Sequence, residues 1–292
     1  MSKPKILLVL DSDPQPSVFD SVVAIDAGVD RLLRHAAVRL QDVQACVHGA
    51  IFTRGGDDLR STAIFVGGSD VAAGEALLAE IRRAFFGPMR VSVMLDPNGA
   101  NTTAAAAVLA ASRHLELAGA TTLVLAATGP VGQRVVRLLA ARCAQVRVGS
   151  RSLARAQQVC QAVAGQFKGQ VPARLSAHAT GTPEEAEEAL AGAHLVIAAG
   201  AAAVALLSDE ARRRAASLQA AIDLNAVPPA GLAGVEATDG GKDRDGVICY
   251  GAMGVGRTKM KIHKAGIRRL FDANDQVLDA EELYALGREM KE

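Results

Sequence analysis

The sequence predicts an α/β protein of two domains, with at least one doubly wound parallel sheet. Three observations carry this. The chain has 292 residues, and at roughly 150 residues per domain that is two domains' worth. Half of the residues are apolar but only nine are Phe or Tyr and none is Trp, so Ala, Val, Leu and Gly carry the core. Small side chains suit helices laid closely on a parallel sheet. Short apolar runs also alternate with longer helical patterns.

The alternation reads in order along the chain. Residues 6–10 form a strand, 63–66 a second, then Gly67-Gly68 and a helix over 70–86. After Pro88 comes the strand 91–95, the turn Asp96-Pro97-Asn98-Gly99, and a helix from Asn101 or Thr102 to about Leu117; both Asn and Thr are competent N-caps. A second series follows: strand 122–126, helix 131–143, strand 146–148, helix 153–163, strand near 172–175, helix 183–191, and strands 195–199 and 221–224. Leu190–Ser208 carries no Asp, Glu, Lys or Arg. Its Ala and Gly content makes it a buried strand running into a helix rather than a membrane span. Glycine-rich Gly251–Gly256 reads as a hinge, and 258–271 and 279–290 as closing helices. The domains are expected at 1–117, joined by 257–292, and at 118–256.

Composition excludes several classes. Disorder is incompatible with this apolar fraction. A net charge of +1 gives no overall field for nucleic acid or acidic membranes. Cys46, Cys143, Cys160 and Cys249 form no CxxC pair, which argues against a zinc knuckle and for reduced thiols in the cytoplasm. The N-terminal run is too short for a signal-peptide core.

The most informative segment is Leu123-Val124-Leu125-Ala126-Ala127-Thr128-Gly129-Pro130-Val131-Gly132. A hydrophobic strand, a glycine turn and a helix start form the dinucleotide fingerprint of a Rossmann-type domain. Gly129 lets the backbone approach a pyrophosphate, Gly132 lets the helix pack on the strand, and the helix N-terminus offers free N–H groups. Ala127 holds the position of the first glycine. Arg151 stands 22 residues after Gly129, between Ser150 and Ser152, where NAD sites commonly place an acid. No Asp or Glu occurs from Leu117 to Pro183, a stretch holding Arg134, Arg137, Arg142, Arg147, Arg151, Arg155, Lys168 and Arg174. A guanidinium with serine hydroxyls fits a 2′-phosphate, so NADP is expected over NAD. Arg137, Arg142 and Arg174 read as solvated helix faces.

Elsewhere the six histidines show no metal spacing, no metal site is expected, and no nucleophile elbow appears. A chain with a cofactor site and no nucleophile–base pair fits chemistry carried by the cofactor. Three polar clusters remain. Asp11, Asp13, Ser17, Phe19 and Asp20 follow the first strand. Asp96, Asn98, Asn101 and Thr102 follow the strand 91–95, and ligands bind at such carboxyl ends. Arg257, Lys259, Lys261, His263, Lys264, Arg268 and Arg269 put six Lys or Arg into thirteen residues. Without aromatics this is a solvated basic helix face rather than a nucleic-acid surface. Met260, Ile267 and Phe271 are expected to face inward, and the functional alternative for Lys259 is a lysine facing an anionic or carbonyl-bearing substrate.

Several strings carry a family resemblance: Pro16-Ser17-Val18-Phe19-Asp20, Ser61 to Gly68, Met94 to Ala106, Thr128 to Gly132, Asn225-Ala226-Val227-Pro228-Pro229 and Lys259-Met260-Lys261-Ile262-His263. They resemble the NADP-dependent methylene-tetrahydromethanopterin / methylene-tetrahydrofolate dehydrogenases. The resemblance implies two α/β domains with a cleft between them, a homo-oligomer (trimer or hexamer), and a cytoplasmic role in one-carbon and formaldehyde oxidation. It implies hydride transfer from the methylene bridge of a reduced pterin to NADP+, giving the methenyl product. Lys259 and Asp20 are then the expected catalytic residues, and Phe19, Asp96, Asn98, Asn101 and Thr102 the substrate side. Ala127 to Gly132, Ser150, Arg151, Ser152 and Asn225 form the cofactor side. Some relatives hydrolyse the methenyl product through a Tyr-x-x-x-Lys pair; here Gly254 and Arg288 follow Tyr250 and Tyr284 at that spacing, so hydrolysis is not expected. The residues alone leave open the choice of pterin, residual NAD use, an NADP-linked dehydrogenase of shikimate type, and a non-catalytic NADPH-sensing module.

Overall fold

A computed structural model describes residues 3–167 and 173–290; Lys168 and Pro172, singled out above, lie outside them. The elements in chain order are β1 (Ile6–Asp11), α1 (Val18–Asp26), β2 (Arg31–His35), α2 (Leu40–Phe52), β3 (Thr62–Gly67), α3 (Val71–Ala84), β4 (Ser92–Leu95) and α4 (Ala100–Ser112). Then come β5 (Thr121–Leu125), α5 (Pro130–Ala140), β6 (Gln145–Ser150), α6 (Leu153–Gln166), β7 (Arg174–Ala179), α7 (Pro183–Leu190), β8 (Leu195–Ala198), α8 (Asp209–Arg214) and β9 (Ala220–Asp223). The chain closes with β10 (Gly240–Arg244), β11 (Val247–Tyr250), α9 (Ala252–Arg269), β12 (Val277–Leu278) and α10 (Ala280–Glu289).

The chain forms two compact units, one of Met1–Thr102 with Met260–Glu292, the other of Thr103–Lys259. The first holds a five-stranded parallel sheet in the order β12-β4-β3-β1-β2. Alternation along its strands divides the core. Leu8, Leu10, Ile64, Val66, Val93 and Leu95 pack with Val43, Val47 and Ile51 of α2 and Leu77 and Ile81 of α3. Phe65 and Met94 point the other way, toward α9, where Gly266 lies so close that a Cβ would sit 3.0 Å from Met94 Sδ.

The second unit holds seven strands in the order β10-β11-β9-β8-β5-β6-β7, parallel except for edge strand β10. Counted from β5, the parallel strands run 3-2-1-4-5-6, the Rossmann order. Leu123, Leu125, Val196, Ala198 and Ala221 pack against Ala186, Ala189 and Leu190 of α7. Among the described residues, no helix is long and apolar enough to cross a membrane.

The structure differs from the sequence reading at five places. The reading places no element over α1, β2 or α2. Helix α1 is apolar on both faces: Val23 and Ala24 are buried, while Val18, Val22 and Ile25, at i, i+4 and i+7, are exposed, so no single apolar face marks it as a core helix. Edge strand β2 is exposed along most of its length and shows no alternation. Residues 201–207 are not helical; Ala203 has φ 61°, a left-handed residue that cannot continue a helix, and α8 starts only after its N-cap Ser208. Finally, Gly254 and Gly256 lie inside α9 rather than in a hinge. A Cβ on Gly254 would fall on the Asp239 carbonyl, so this glycine serves close backbone packing.

Candidate active site

In the second unit the site grows from the end of β5. The chain turns through Ala126 in the left-handed region (φ 53°). Ala127, at the first-glycine position, keeps a negative φ and is fully buried. Gly129 is the N-cap of α5 and Pro130 its first residue, a position where a missing N–H costs nothing. A Cβ on Gly132 would lie 2.7 Å from Ala127 Cα and 2.9 Å from the Ala126 carbonyl oxygen, so helix and turn touch through backbone. A Cβ on Gly129 would meet nothing nearer than 3.8 Å. The protein itself leaves room there.

That room is a cavity of about 220 Å³ lined by Ala126, Thr128, Gly129, Ser150, Arg151, Thr180 and residues 199–201, 204 and 206. It opens where the loops after β5 and β8 diverge, the switch point at which Rossmann sheets bind ligands. No carboxylate lines it. Arg151 is exposed at its rim. The Ser152 N–H donates to Ser150 Oγ at 3.2 Å, and Ser152 Oγ caps α6 by accepting from the Arg155 N–H. The helix start, the open space over Gly129, the guanidinium and the hydroxyls form a donor set that suits the phosphates of a dinucleotide. Arg155 lines a neighbouring cavity of about 310 Å³ with Thr128 and Gln133, a second guanidinium near the turn that the sequence reading left without a role. Other basic residues of the acid-free stretch are structural. Arg147 Nη1 donates to the carbonyls of Ala189 and Ala191 at 2.7 and 2.6 Å, and Arg142 Nη1 to that of Leu138. Arg174 stands on β7, not on a helix face. Asn225 is not among the residues lining the 220 Å³ cavity. Its Nδ2 donates to the Pro229 carbonyl and its Oδ1 accepts from the Val227 N–H, closing the turn after β9.

In the first unit the order β2-β1-β3-β4 puts the switch point between β1 and β3. Phe19 and Asp20 stand just beyond β1, in the first turn of α1, whose N-cap Ser17 accepts from the Asp20 N–H at 3.1 Å. Phe19 is half exposed and the Asp20 side chain 15% exposed. Asn98, exposed and left-handed (φ 53°), follows β4. Asp96, Asn101 and Thr102, expected on the substrate side, are all buried. Asp96 Oδ1 accepts from the Asn101 and Thr102 N–H groups at 3.0 Å, and its Oδ2 from Thr102 Oγ1 at 2.7 Å. Asn101 Nδ2 donates to the Leu95 carbonyl and to Asp279. The three bind α4 to the end of β4.

The residue that sequence reasoning misplaced is His263. It counts above as part of a solvated basic face, yet it is 0% exposed. Its Nε2 lies 3.8 Å from Asp20 Oδ1 and its Nδ1 3.8 Å from Asp96 Oδ2. Its ring stacks on Phe65, with centroids 5.6 Å apart and planes 13° from parallel, and is tilted toward Phe19. The signal was in the period: His263, Ile267 and Leu270 stand at i, i+4 and i+7, and all three are buried, whereas Met260, expected inward, is only partly so. Lys259 is half-buried one turn earlier on α9. Lys264 pairs with Asp26 at 2.8 Å, and Arg269 with Glu289.

Strand order, turn and helix start make this a Rossmann-type α/β protein with a second parallel α/β unit. Two solved structures share that architecture: ornithine transcarbamoylase from Giardia lamblia (10% identity, 92% of this chain and 86% of that one, TM-score 0.55) and shikimate 5-dehydrogenase from Listeria monocytogenes (11%, 97% and 96%, TM-score 0.52). At such identities they show the fold alone. Sequence comparison goes further. The model of the N-terminal region of methylene-tetrahydromethanopterin dehydrogenase matches residues 18–98. The bifunctional protein MdtA of Methylorubrum extorquens is 44% identical over 99% of this chain and 100% of its own. The NAD(P)-dependent methylenetetrahydromethanopterin dehydrogenase of the same organism is 31% identical over 98% of each. The chain belongs to the methylene-tetrahydromethanopterin dehydrogenase family.

Proposed function

We propose that this protein oxidises the methylene bridge of methylene-tetrahydromethanopterin, or of methylene-tetrahydrofolate, to the methenyl cation, with NADP+ taking the hydride. The observation that carries the cofactor choice is the 220 Å³ cavity beside Gly129, lined by Arg151 and Ser150 and by no carboxylate. An acid would repel a 2′-phosphate, whereas a guanidinium binds it bidentately. Bound there, a nicotinamide dinucleotide supplies the hydride acceptor. The family relatives supply the substrate class.

Side chains outside this cavity supply the rest of the chemistry. Loss of hydride from a carbon between two nitrogens leaves a cation that those nitrogens share, so no proton has to move. The chain then needs to orient rings and favour positive charge. Phe19, half exposed at the switch point, offers a face for the pterin. The Asp20 carboxylate stabilises the developing cation. Lys259 binds a pterin carbonyl or the anionic tail, away from the reacting carbon. Asp96, Asn101 and Thr102 hold the wall of the site, and Asn98 lies exposed at its rim. We place the enzyme in the cytoplasm, in keeping with its four free thiols, and take a homo-oligomer from the family resemblance.

The test is methenyl formation followed spectrophotometrically with both pterins and both nucleotides, for wild type and Arg151→Gln. The expected result is turnover that prefers NADP+, and a loss of at least about tenfold in that preference in the variant, the value of one charge-assisted contact. An unchanged NADP+/NAD+ ratio removes Arg151 from the site. No methenyl product with any pair refutes the activity.

A further inference from the structure

The mechanism uses Asp20 but leaves unexplained why a histidine is sealed behind it. Asp96, His263 and Asp20 form a row running from the interior to the switch point. Asp96 is multiply anchored: two backbone N–H groups of α4 and the Thr102 hydroxyl donate to it, and an anion at a helix N-terminus is favoured. His263 is fixed by α9 and by its stack on Phe65. Each of its two nitrogens lies 3.8 Å from a carboxylate oxygen, Nε2 from Asp20 and Nδ1 from Asp96. That is longer than a hydrogen bond, and it sets a carboxylate oxygen beside each ring nitrogen. Asp20 is the member of the row that reaches the surface.

We propose that His263 is the positioning residue for Asp20: its buried imidazole, anchored on Asp96 and Phe65, fixes where the Asp20 carboxylate points. This rests on the role assigned to Asp20 above. A bare packing role makes a different claim, because packing needs the ring and not its nitrogens.

The experiment separates the two. His263→Phe keeps a ring against Phe65 and removes both nitrogens; His263→Gln restores a polar group. Positioning predicts a fall in kcat of about tenfold or more in His263→Phe, KM for NADP+ within twofold of wild type, and partial recovery in His263→Gln. The double variant Asp20→Asn/His263→Phe is expected to be no slower than Asp20→Asn alone, since both remove one function. A wild-type kcat in His263→Phe, or additive losses in the double variant, overturns the proposal. A second measurement stands without turnover. The imidazole 15N resonances of His263, identified by their loss in His263→Phe, are expected to shift in Asp20→Asn at Nε2. Resonances that do not respond overturn the proposal as well. Absence of methenyl product in the wild type refutes the function above, and the resonance shift then decides this inference by itself.

Discussion

Gly129 and Gly132 stand three residues apart in one turn, and the structure predicts that alanine at each does opposite things. At Gly132 the added methyl would lie 2.7 Å from Ala127 Cα, 2.9 Å from the Ala126 oxygen and 3.0 Å from Ala127 C. Carbon atoms rest at about 3.5 Å or more. All three neighbours are backbone, so α5 must move off the turn by roughly 0.8 Å. Overpacking of this kind costs about 1–3 kcal/mol. At Gly129 the nearest atoms are the Ala126 and Ala199 oxygens at 3.8 and 3.9 Å, which is ordinary contact, and φ is −76°, open to any residue. Alanine is a poorer N-cap than glycine by up to about 1 kcal/mol, but it restricts the unfolded chain by about 0.4–1 kcal/mol. Stability then stays within about 0.5 kcal/mol of wild type. The methyl instead occupies the space over the helix N-terminus. One charge-assisted hydrogen bond to a phosphate is worth about 1.5–3 kcal/mol, so its loss weakens NADP+ binding about 10- to 150-fold. Urea denaturation and calorimetric titration with NADP+ measure the two quantities. A Gly129→Ala protein that binds NADP+ within twofold of wild type refutes the cradle, and a Gly132→Ala protein of wild-type stability refutes the packing argument.

Two further outcomes concern stability. Ala126 sits at φ 53°, where an L-residue is strained by about 1–2 kcal/mol. After the entropy glycine loses on folding, Ala126→Gly is expected to raise the melting temperature by about 2 °C, and a lowered value would contradict the backbone assignment. Burial pushes the Cys143 thiol up to about 12 and that of Cys249 up to about 11. Between the unfolded value and these, the unfolded state releases protons that the folded state keeps, so stability falls as pH rises above about 9. At pH 10.5 the loss is about 2 kcal/mol per thiol. The urea midpoint is expected to drop between pH 8 and 10.5, and less steeply in Cys143→Ala; parallel slopes in the two proteins would show that the thiol does not carry the effect.

Much of this protein is legible in one dimension because its signals are local. A strand, a turn and a helix start occupy ten consecutive residues from Leu123 to Gly132, and their chemistry comes from backbone geometry and dipole that neighbours in sequence create. The absence of any acid between Leu117 and Pro183 is likewise a property of composition, and it marks Arg151 before any fold is known. What is lost is whatever depends on where an element is buried. Helix α1 shows no single apolar face and strand β2 no alternation, since their apolar residues face solvent as well as core. The six Lys and Arg around His263 hide the fact that this side chain points inward.

The chain alone thus determined the alternating α/β plan, the phosphate turn and the guanidinium that follows it, because hydrophobic period, glycine spacing and charge act over a few residues. Only tertiary packing decided that Asp20, Phe65, Asp96 and His263, drawn from four separate segments, stand within a few ångströms of one another. Burial fixes such a row, and burial is set by which sheet face a helix covers, a choice made between segments far apart in the chain.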